Sequence, residues 1–135
     1  MPYLLDSDVC ISTINDRPAS VRRRLDREIV SGQAIAISTV TVFELQYGVA
    51  KSQWSAASAD LLRAFLARTE VLPFEAIDAE AAAQIRADLE RRGRPIGPYD
   101  CLIAGQAVRR GLTLVTANAR EFARVPGLAW ENWAE

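Results

Sequence analysis

Tyr-Leu-Leu-Asp-Ser-Asp, at residues 3–8, carries three apolar residues directly into a carboxylate. A run of this kind predicts a strand buried on both faces, as in a parallel sheet. Asp6 would follow the carboxyl end of that strand, which is the edge where open α/β sheets bind ligands. Taken alone, Asp6 is more simply explained as the N-cap of the next helix. The distinction depends on whether other acids converge on the same edge.

The rest of the chain alternates short apolar runs with amphipathic segments. The apolar runs predict further strands at residues 34–37, 70–74 and 112–116, and residues 128–130 are a candidate for a fifth. Helices are predicted between Pro18 and Gly32, after Thr39, and at residues 8–15, 54–68, 78–93 and 100–111, with a short helix or turn at 119–125. This order predicts an α/β fold, in which a mostly parallel sheet of four or five strands has helices on both faces.

Capping residues and apolar periodicity predict where two of these helices begin and which side chains of a third face the core. Ser38 or Thr39 is the predicted N-cap of one helix and Asp78 that of another. In the segment at residues 54–68, the side chains predicted to face the core are Leu61, Leu62, Phe65 and Leu66.

Composition excludes several classes of function. The 135 residues suit one domain, 50% of them are hydrophobic, and the net charge is −1. We find no apolar run long enough to cross a membrane and no secretory signal, so we expect a cytoplasmic protein. Cys10 and Cys101 are expected to be buried free thiols. Histidine is absent, which excludes Ser-His-Asp catalysis and zinc sites of the usual kind.

Four polar residues lie just after predicted strand ends. Asp6 and Asn118 follow strands directly, whereas Glu44 lies one turn into a helix and Asp100 opens one. Strand ends of a parallel sheet share one edge, so these groups could converge there. Three close carboxylates repel each other unless a cation joins them, and oxygen ligands suit Mg²⁺ or Mn²⁺. Such an ion activates water to hydrolyse a phosphodiester. By pattern alone, a set of unrelated helix caps remains the alternative.

Four motifs carry a resemblance to a known family. They are LLDSD at residues 4–8, TVFELQYG at 41–48, PIGPYDCLIA at 95–104 and TLVTANAREF at 113–122. In this order and spacing they resemble the motifs of PIN-domain ribonucleases, and most closely those of the VapC toxins of bacterial toxin–antitoxin pairs. The resemblance covers essentially the whole chain, residues 1–135, as a single PIN domain with a three-layer α/β/α fold.

The resemblance implies a metal-dependent endoribonuclease that cuts RNA, forms a homodimer and is inhibited by a VapB-type antitoxin. It implies that Asp6, Glu44 and Asp100 are the catalytic acids that bind Mg²⁺, with Mn²⁺ as an alternative. Asn118 occupies the position of a fourth acid in many PIN domains, so the resemblance implies that it is catalytic too. It would bind the ion through its carbonyl oxygen or orient a water molecule, but it adds no charge.

Several neighbours of these residues have open roles. Asp8 is interpreted as a helix-capping residue in preference to a metal ligand. Glu121 is interpreted as a surface helix residue, and the alternative is that it replaces the fourth acid. Ser7 and Thr116 carry hydroxyls that could contact a phosphate or orient a ligand.

Arginine and tryptophan residues suggest further contacts. Arg91, Arg92 and Arg94 precede the Asp100 loop, where they could hold RNA phosphates or simply favour the C-terminal end of a helix. The tryptophans at positions 54, 130 and 133 are better explained as core, dimer or antitoxin contacts than as base-stacking surfaces.

Two other classes of function remain open at this stage. One is a metal-dependent phosphatase or DNA nuclease that uses the same acids. The other is a non-enzymatic interaction module.

Overall fold

The structure is a computed structural model that describes residues 2–52 and 55–134. Its elements, in chain order, are β1 Tyr3–Leu5, α1 Ser7–Asn15, α2 Ala19–Val30, β2 Ile35–Ser38, α3 Thr39–Lys51, α4 Ser55–Leu66, β3 Glu70–Leu72, α5 Ala76–Arg91, α6 Pro98–Arg110, β4 Thr113–Val115, α7 Ala119–Phe122 and β5 Trp130–Glu131.

The strands found in the described residues form one parallel sheet in the order β3-β2-β1-β4-β5. The first strand of the chain is therefore the central one, with Tyr3 opposite Ile35 on one side and Thr113 on the other. The chain builds β2 and β3 outward on one side of β1, and then crosses to build β4 and β5 on the other. The direction of the strand order changes between β1 and β4, and a crevice forms beyond the strand ends at such a point.

The two faces of the sheet pack against different helices. Along β1, Tyr3 and Leu5 point to one apolar cluster and Leu4 points to the other, as the two-residue period of a strand requires. The first cluster includes residues of α1–α4, and the second includes residues of α5–α7. This arrangement confirms the predicted α/β/α architecture and its mostly parallel sheet.

Several element boundaries differ from the predictions for identifiable reasons. Strand β3 ends at Leu72, before Pro73, because proline has no N–H group for the ladder. Helix α6 begins at Pro98 rather than Asp100, since proline suits the first helical turn. The predicted cap at Ser38 is confirmed, because its side chain accepts a hydrogen bond from Val40 N–H.

The prediction that Asp78 is an N-cap was wrong. Helix α5 starts at Ala76 with Glu75 as its N-cap, and Asp78 accepts a hydrogen bond from Glu75 N–H at 2.8 Å. The fully buried Asp78 also pairs with Arg110, whose guanidinium donates to both carboxylate oxygens at 3.1 and 2.8 Å. That guanidinium is the main reason why the pKa of Asp78 lies below its usual range. Asp78 therefore joins α5 to α6.

Side-chain exposure also corrects one core prediction. Leu62 and Phe65 are buried, but Leu61 is 53% exposed. Of the tryptophans, Trp133 is buried edge-on against Tyr3 at 5.1 Å, whereas Trp130 is 38% exposed. Trp54 lies outside the described residues. Among the helices described, none is both long and apolar enough to span a bilayer.

Candidate active site

Asp6 lies at the C-terminal end of β1, at the crevice between β1 and β4. It is the N-cap of α1, and its Oδ1 accepts a hydrogen bond from Ser7 N–H at 2.9 Å. Its Oδ2 accepts a second bond from the hydroxyl of Thr116 at 2.9 Å. The residue is 5% exposed, and this burial raises the pKa of Asp6, although the bonds from Thr116 and Ser7 oppose the shift. Asp6 therefore caps α1 and also contacts the other polar groups at the crevice.

The loop after β4 is fixed to the acids of α1. The Thr116 hydroxyl donates to Asp6 and accepts from Asn118 N–H at 2.9 Å. Asp8 Oδ2 accepts from Ala117 N–H at 3.2 Å. The expectation that Asp8 caps the helix was therefore wrong: Asp6 is the N-cap of α1, and Asp8 holds the neighbouring strand end in place.

Glu121 is not an exposed surface residue, although the sequence interpretation favoured that position over the alternative that it supplies the fourth acid. It is half-buried on the single turn of α7, where its Oε2 accepts from the Asn118 side-chain amide at 3.1 Å. It also forms a side-chain hydrogen bond with Asp100 and raises the pKa of Asp6 through its charge. Glu121 and Phe122 lie close after Asn118 in the sequence. Nothing in the local sequence indicated which side chain of so short a helix would face the crevice.

Asp100 enters the same crevice from the first turn of α6. Burial, the hydrogen bond with Glu121 and the charges of Asp6, Glu121 and Glu44 raise its pKa to about 7. Gly97, at the N-cap of this helix, leaves room for the carboxylate: a Cβ at residue 97 would lie 3.1 Å from Asp100 Oδ2. The two-proline loop thus delivers the acid without a side chain in its way.

Glu44 completes the cluster from the second turn of α3. Burial first, and then the charges of Asp6 and Asp8, raise its pKa. Burial and the charge of Asp6 likewise raise the pKa of Asp8 to about 6. The main causes of these pKa shifts, among the described residues, are burial, hydrogen bonds and other acids, and no basic side chain is one of them. The crevice is therefore a cluster of acids that lacks a close basic partner in the described part of the chain.

The chemistry of these donors fits a hard divalent cation, since carboxylate and amide oxygens are its preferred ligands. Asp8 Oδ1 is buried and has no hydrogen-bond partner among residues 2–52 and 55–134, so it is available as a ligand. With the side chains in their present orientations, however, no three acids in the described parts of the chain are close enough to share one ion. Binding would require Asp100 to give up its hydrogen bond with Glu121, whereas each Asp6 oxygen accepts only one hydrogen bond from the described residues and keeps a second lone pair for a cation.

The other candidate residues lie farther from the cluster or contact it indirectly. Ser7 lines a groove of roughly 420 Å³ between α1, α3 and α4, together with Glu44 and the exposed Leu61. Arg91 and Arg94 are exposed, and Arg92 forms an ion pair with Asp88 at 3.2 Å. Within the described residues, none of these three arginines has a hydrogen bond or ion pair with an acid of the crevice.

Comparisons with known proteins identify the family to which this fold belongs. The family model of the PIN domain matches residues 3–128. A tRNA(fMet)-specific endonuclease VapC from Shigella flexneri is 45% identical over 134 residues, which is 99% of each chain. A chain in the crystal structure of VapBC2 from Rickettsia felis, bound to a promoter DNA fragment, matches with a TM-score of 0.92 and 39% identity, over 98% of this chain and 99% of that one.

A chain in the DNA-bound VapBC structure from Salmonella typhimurium matches with a TM-score of 0.90 and 41% identity, over 98% of each chain. These matches extend over nearly the full length of the chains compared, and they include every motif on which the resemblance rested. The chain therefore belongs to the PIN domain family and, within that family, to the VapC proteins.

Proposed function

We propose that this chain is the endoribonuclease toxin of a toxin–antitoxin pair, that it requires Mg²⁺ or Mn²⁺, and that a VapB-type antitoxin inhibits it. The observation that carries the proposal is the convergence of Asp6, Asp8, Glu44, Asp100 and Glu121 on the crevice between β1 and β4. The relatives named as endonucleases and the VapBC structures support the RNA-cleaving and antitoxin parts. PIN-domain nucleases generally depend on a divalent metal.

The proposed ligands are Asp6, Glu44 and Asp100, with the Asn118 carbonyl oxygen able to orient a ligand. When bound, the cation would supply Lewis acidity toward a phosphodiester and lower the pKa of a water molecule. Thr116 holds the Asp6 carboxylate in one orientation, because its hydroxyl is fixed in turn by Asn118 N–H. Asp100 and Glu121 share a hydrogen bond that needs a proton, and a cation displaces protons from its ligands.

The groove beside the site is the proposed position of the antitoxin. Ile11 and Leu61, 50% and 53% exposed, lie on its two sides, and Glu44 lies at its acidic end. An apolar segment of the antitoxin would bury these side chains and would cover Glu44 at the same time. Inhibition would then follow from obstruction of the acids, with no rearrangement of the sheet.

The remaining parts of the proposal concern assembly and location. We propose that residues 1–135 form one PIN domain and that the chain forms a homodimer. The cytoplasm is the proposed compartment, and the free buried thiols of Cys10 and Cys101 are consistent with its reducing conditions.

The experiment is cleavage of RNA by purified protein, with wild type, Asp6→Asn and Asp100→Asn compared in Mg²⁺, in Zn²⁺ and in a chelator. We expect cleavage by wild type in Mg²⁺ and its loss in both variants. Asp60→Asn is the control, because Asp60 is an exposed acid that pairs with Arg63 on α4. Equal activity in all four proteins, or activity that only Zn²⁺ restores, would contradict the proposal.

Two further measurements separate the rival functions. A DNA nuclease or phosphatase would cleave DNA or a phosphomonoester in preference to RNA. A non-enzymatic module would bind no Mg²⁺ in a calorimetric titration.

A further inference from the structure

Three aromatic side chains form an exposed cluster that the core does not explain. Phe43, Tyr47 and Tyr99 are 54%, 58% and 46% exposed. The rings of Phe43 and Tyr47 are nearly parallel, 14° apart with centroids 6.4 Å apart. The ring of Tyr99 lies edge-on to that of Phe43 at 5.9 Å. We call these three residues the aromatic platform.

A positive charge lies at one end of the aromatic platform. Phe43, Tyr47 and Lys51 are spaced by four residues on α3, so they form one stripe along the helix. The Lys51 amino group lies 5.6 Å from the centroid of the Tyr47 ring, in a cation–π contact. Lys51 is the only lysine of the chain.

The aromatic platform lies on the two helices that carry Glu44 and Asp100. Phe43 precedes Glu44 on α3, and Tyr99 precedes Asp100 on α6. The contact between these two rings therefore joins the two helices that present those acids. A nucleic acid whose phosphate reached the acids would have its neighbouring bases next to the rings.

We propose that the aromatic platform stacks against unpaired nucleobases of an RNA strand beside the phosphodiester to be cut, and that Lys51 binds a phosphate of the same strand. The proposal rests on the endoribonuclease function proposed above, and it names the residues that would position the RNA strand at that site. Exposed rings combined with a cation are the usual elements of single-strand binding, because every base offers a face for stacking. Bases in an A-form duplex are stacked on each other and cannot offer that face.

A second copy of the chain is a less suitable occupant of this surface. Lysine is depleted from the buried centres of protein interfaces, since its charge must be desolvated there. A strand of RNA instead supplies a phosphate for Lys51 and planar groups for the rings. Charge complementarity therefore favours RNA.

The test is binding of a labelled single-stranded RNA of about 12 nucleotides, followed by fluorescence anisotropy in a chelator so that it is not cut. We expect Phe43→Ala, Tyr47→Ala and Tyr99→Ala each to weaken binding about 5- to 100-fold. Tyr99→Leu should weaken it similarly, because leucine keeps apolar bulk but has no ring face, whereas Tyr99→Phe should bind like wild type. Ile77→Ala, at an exposed apolar residue of α5, is the control.

Two comparisons make the test specific for stacking and for phosphate. A duplex of the same sequence should bind more weakly than the single strand. Lys51→Ala should reduce the slope of the logarithm of affinity against the logarithm of salt concentration by about 0.7, the value for one phosphate contact with a single strand.

Other results would overturn the proposal. Unchanged binding in the three alanine variants would do so, as would equal binding of Tyr99→Leu and wild type. Conversion of a dimer to a monomer by Phe43→Ala, measured by light scattering, would instead identify the surface as an interface between copies. Cleavage by the wild type is measured separately. Its absence would overturn the proposed function, while normal cleavage with unchanged binding of the alanine variants would overturn only the aromatic platform.

Discussion

The metal-free protein should lose stability as the pH rises from 5 to 8, and Asp100→Asn should remove much of that loss. The pKa of Asp100 is raised from its ordinary value of 3.8 to about 7, so the folded state holds a proton that the unfolded state releases. The stabilisation from this proton is complete below pH 3.8 and is lost as the pH rises through 7. Asp8, with a pKa raised to about 6, contributes in the same direction.

The size of the effect follows from the shift of Asp100. Between pH 5 and 8 about two units of the shift are expressed, and each unit is worth about 1.4 kcal/mol. The side chain is only half-buried, so screening by solvent reduces the expected change in the free energy of unfolding to about 1–2 kcal/mol. At pH 8 the Asp100→Asn variant should be more stable than wild type by a similar amount, although it should not cleave RNA.

The assay is urea denaturation in a chelator at pH 5, 6, 7 and 8, for wild type, Asp100→Asn and the exposed-acid control Asp60→Asn. Adding Mg²⁺ at pH 8 should stabilise wild type by about 2.7 kcal/mol at one hundred times its Kd, and the Asp100→Asn variant by less. A wild-type stability that is flat or rises from pH 5 to 8 would refute the reasoning. So would an identical pH dependence in wild type and Asp100→Asn.

Three further substitutions test other parts of the structure. Thr116→Val should lower the free energy of unfolding by about 1–3 kcal/mol and slow RNA cleavage at neutral pH, because Asp6 and Asn118 N–H lose their shared partner. Thr113→Val is the control, and equal effects of the two substitutions would contradict this role of Thr116. Gly105→Ala should lower the free energy of unfolding by about 1–3 kcal/mol in thermal denaturation, since a Cβ there would lie 2.6 Å from the Ala82 backbone. Gly48→Ala is the control and should not destabilise, because a Cβ there meets no atom of the described residues within 4 Å. Leu61→Asp should raise the antitoxin concentration needed for half-inhibition of cleavage about tenfold or more, without changing the cleavage rate in the absence of antitoxin. Val30→Asp, at an exposed residue of α2, is the control, and the same effect from this variant would exclude a specific role of the groove.

The sheet and the position of Asp6 were predictable because apolar runs record burial directly. Leu4 and Leu5 are completely buried, and the strand that contains them could be placed before any contact was known. The edge position of β3 was also predictable from the sequence, because Pro73 cannot donate a hydrogen bond.

Other features depend on contacts that no local pattern encodes. Glu121 reaches the crevice only because α7 is a single turn that begins at Asn118, and a segment of four residues is too short to show a hydrophobic face. Leu61 has the spacing of a core residue, but α4 leaves it at the edge of a groove. The role of Asp8 is set by a hydrogen bond to a residue 109 positions later in the chain.

The central position of β1 determines when this site can form during synthesis. Asp6 is translated 110 residues before Thr116, whose hydroxyl orients it. At about 5–20 residues per second, at least several seconds separate the two on the ribosome. A nascent chain therefore exposes single acids but no assembled site, and ribonuclease activity should appear only after Thr116 has left the ribosome.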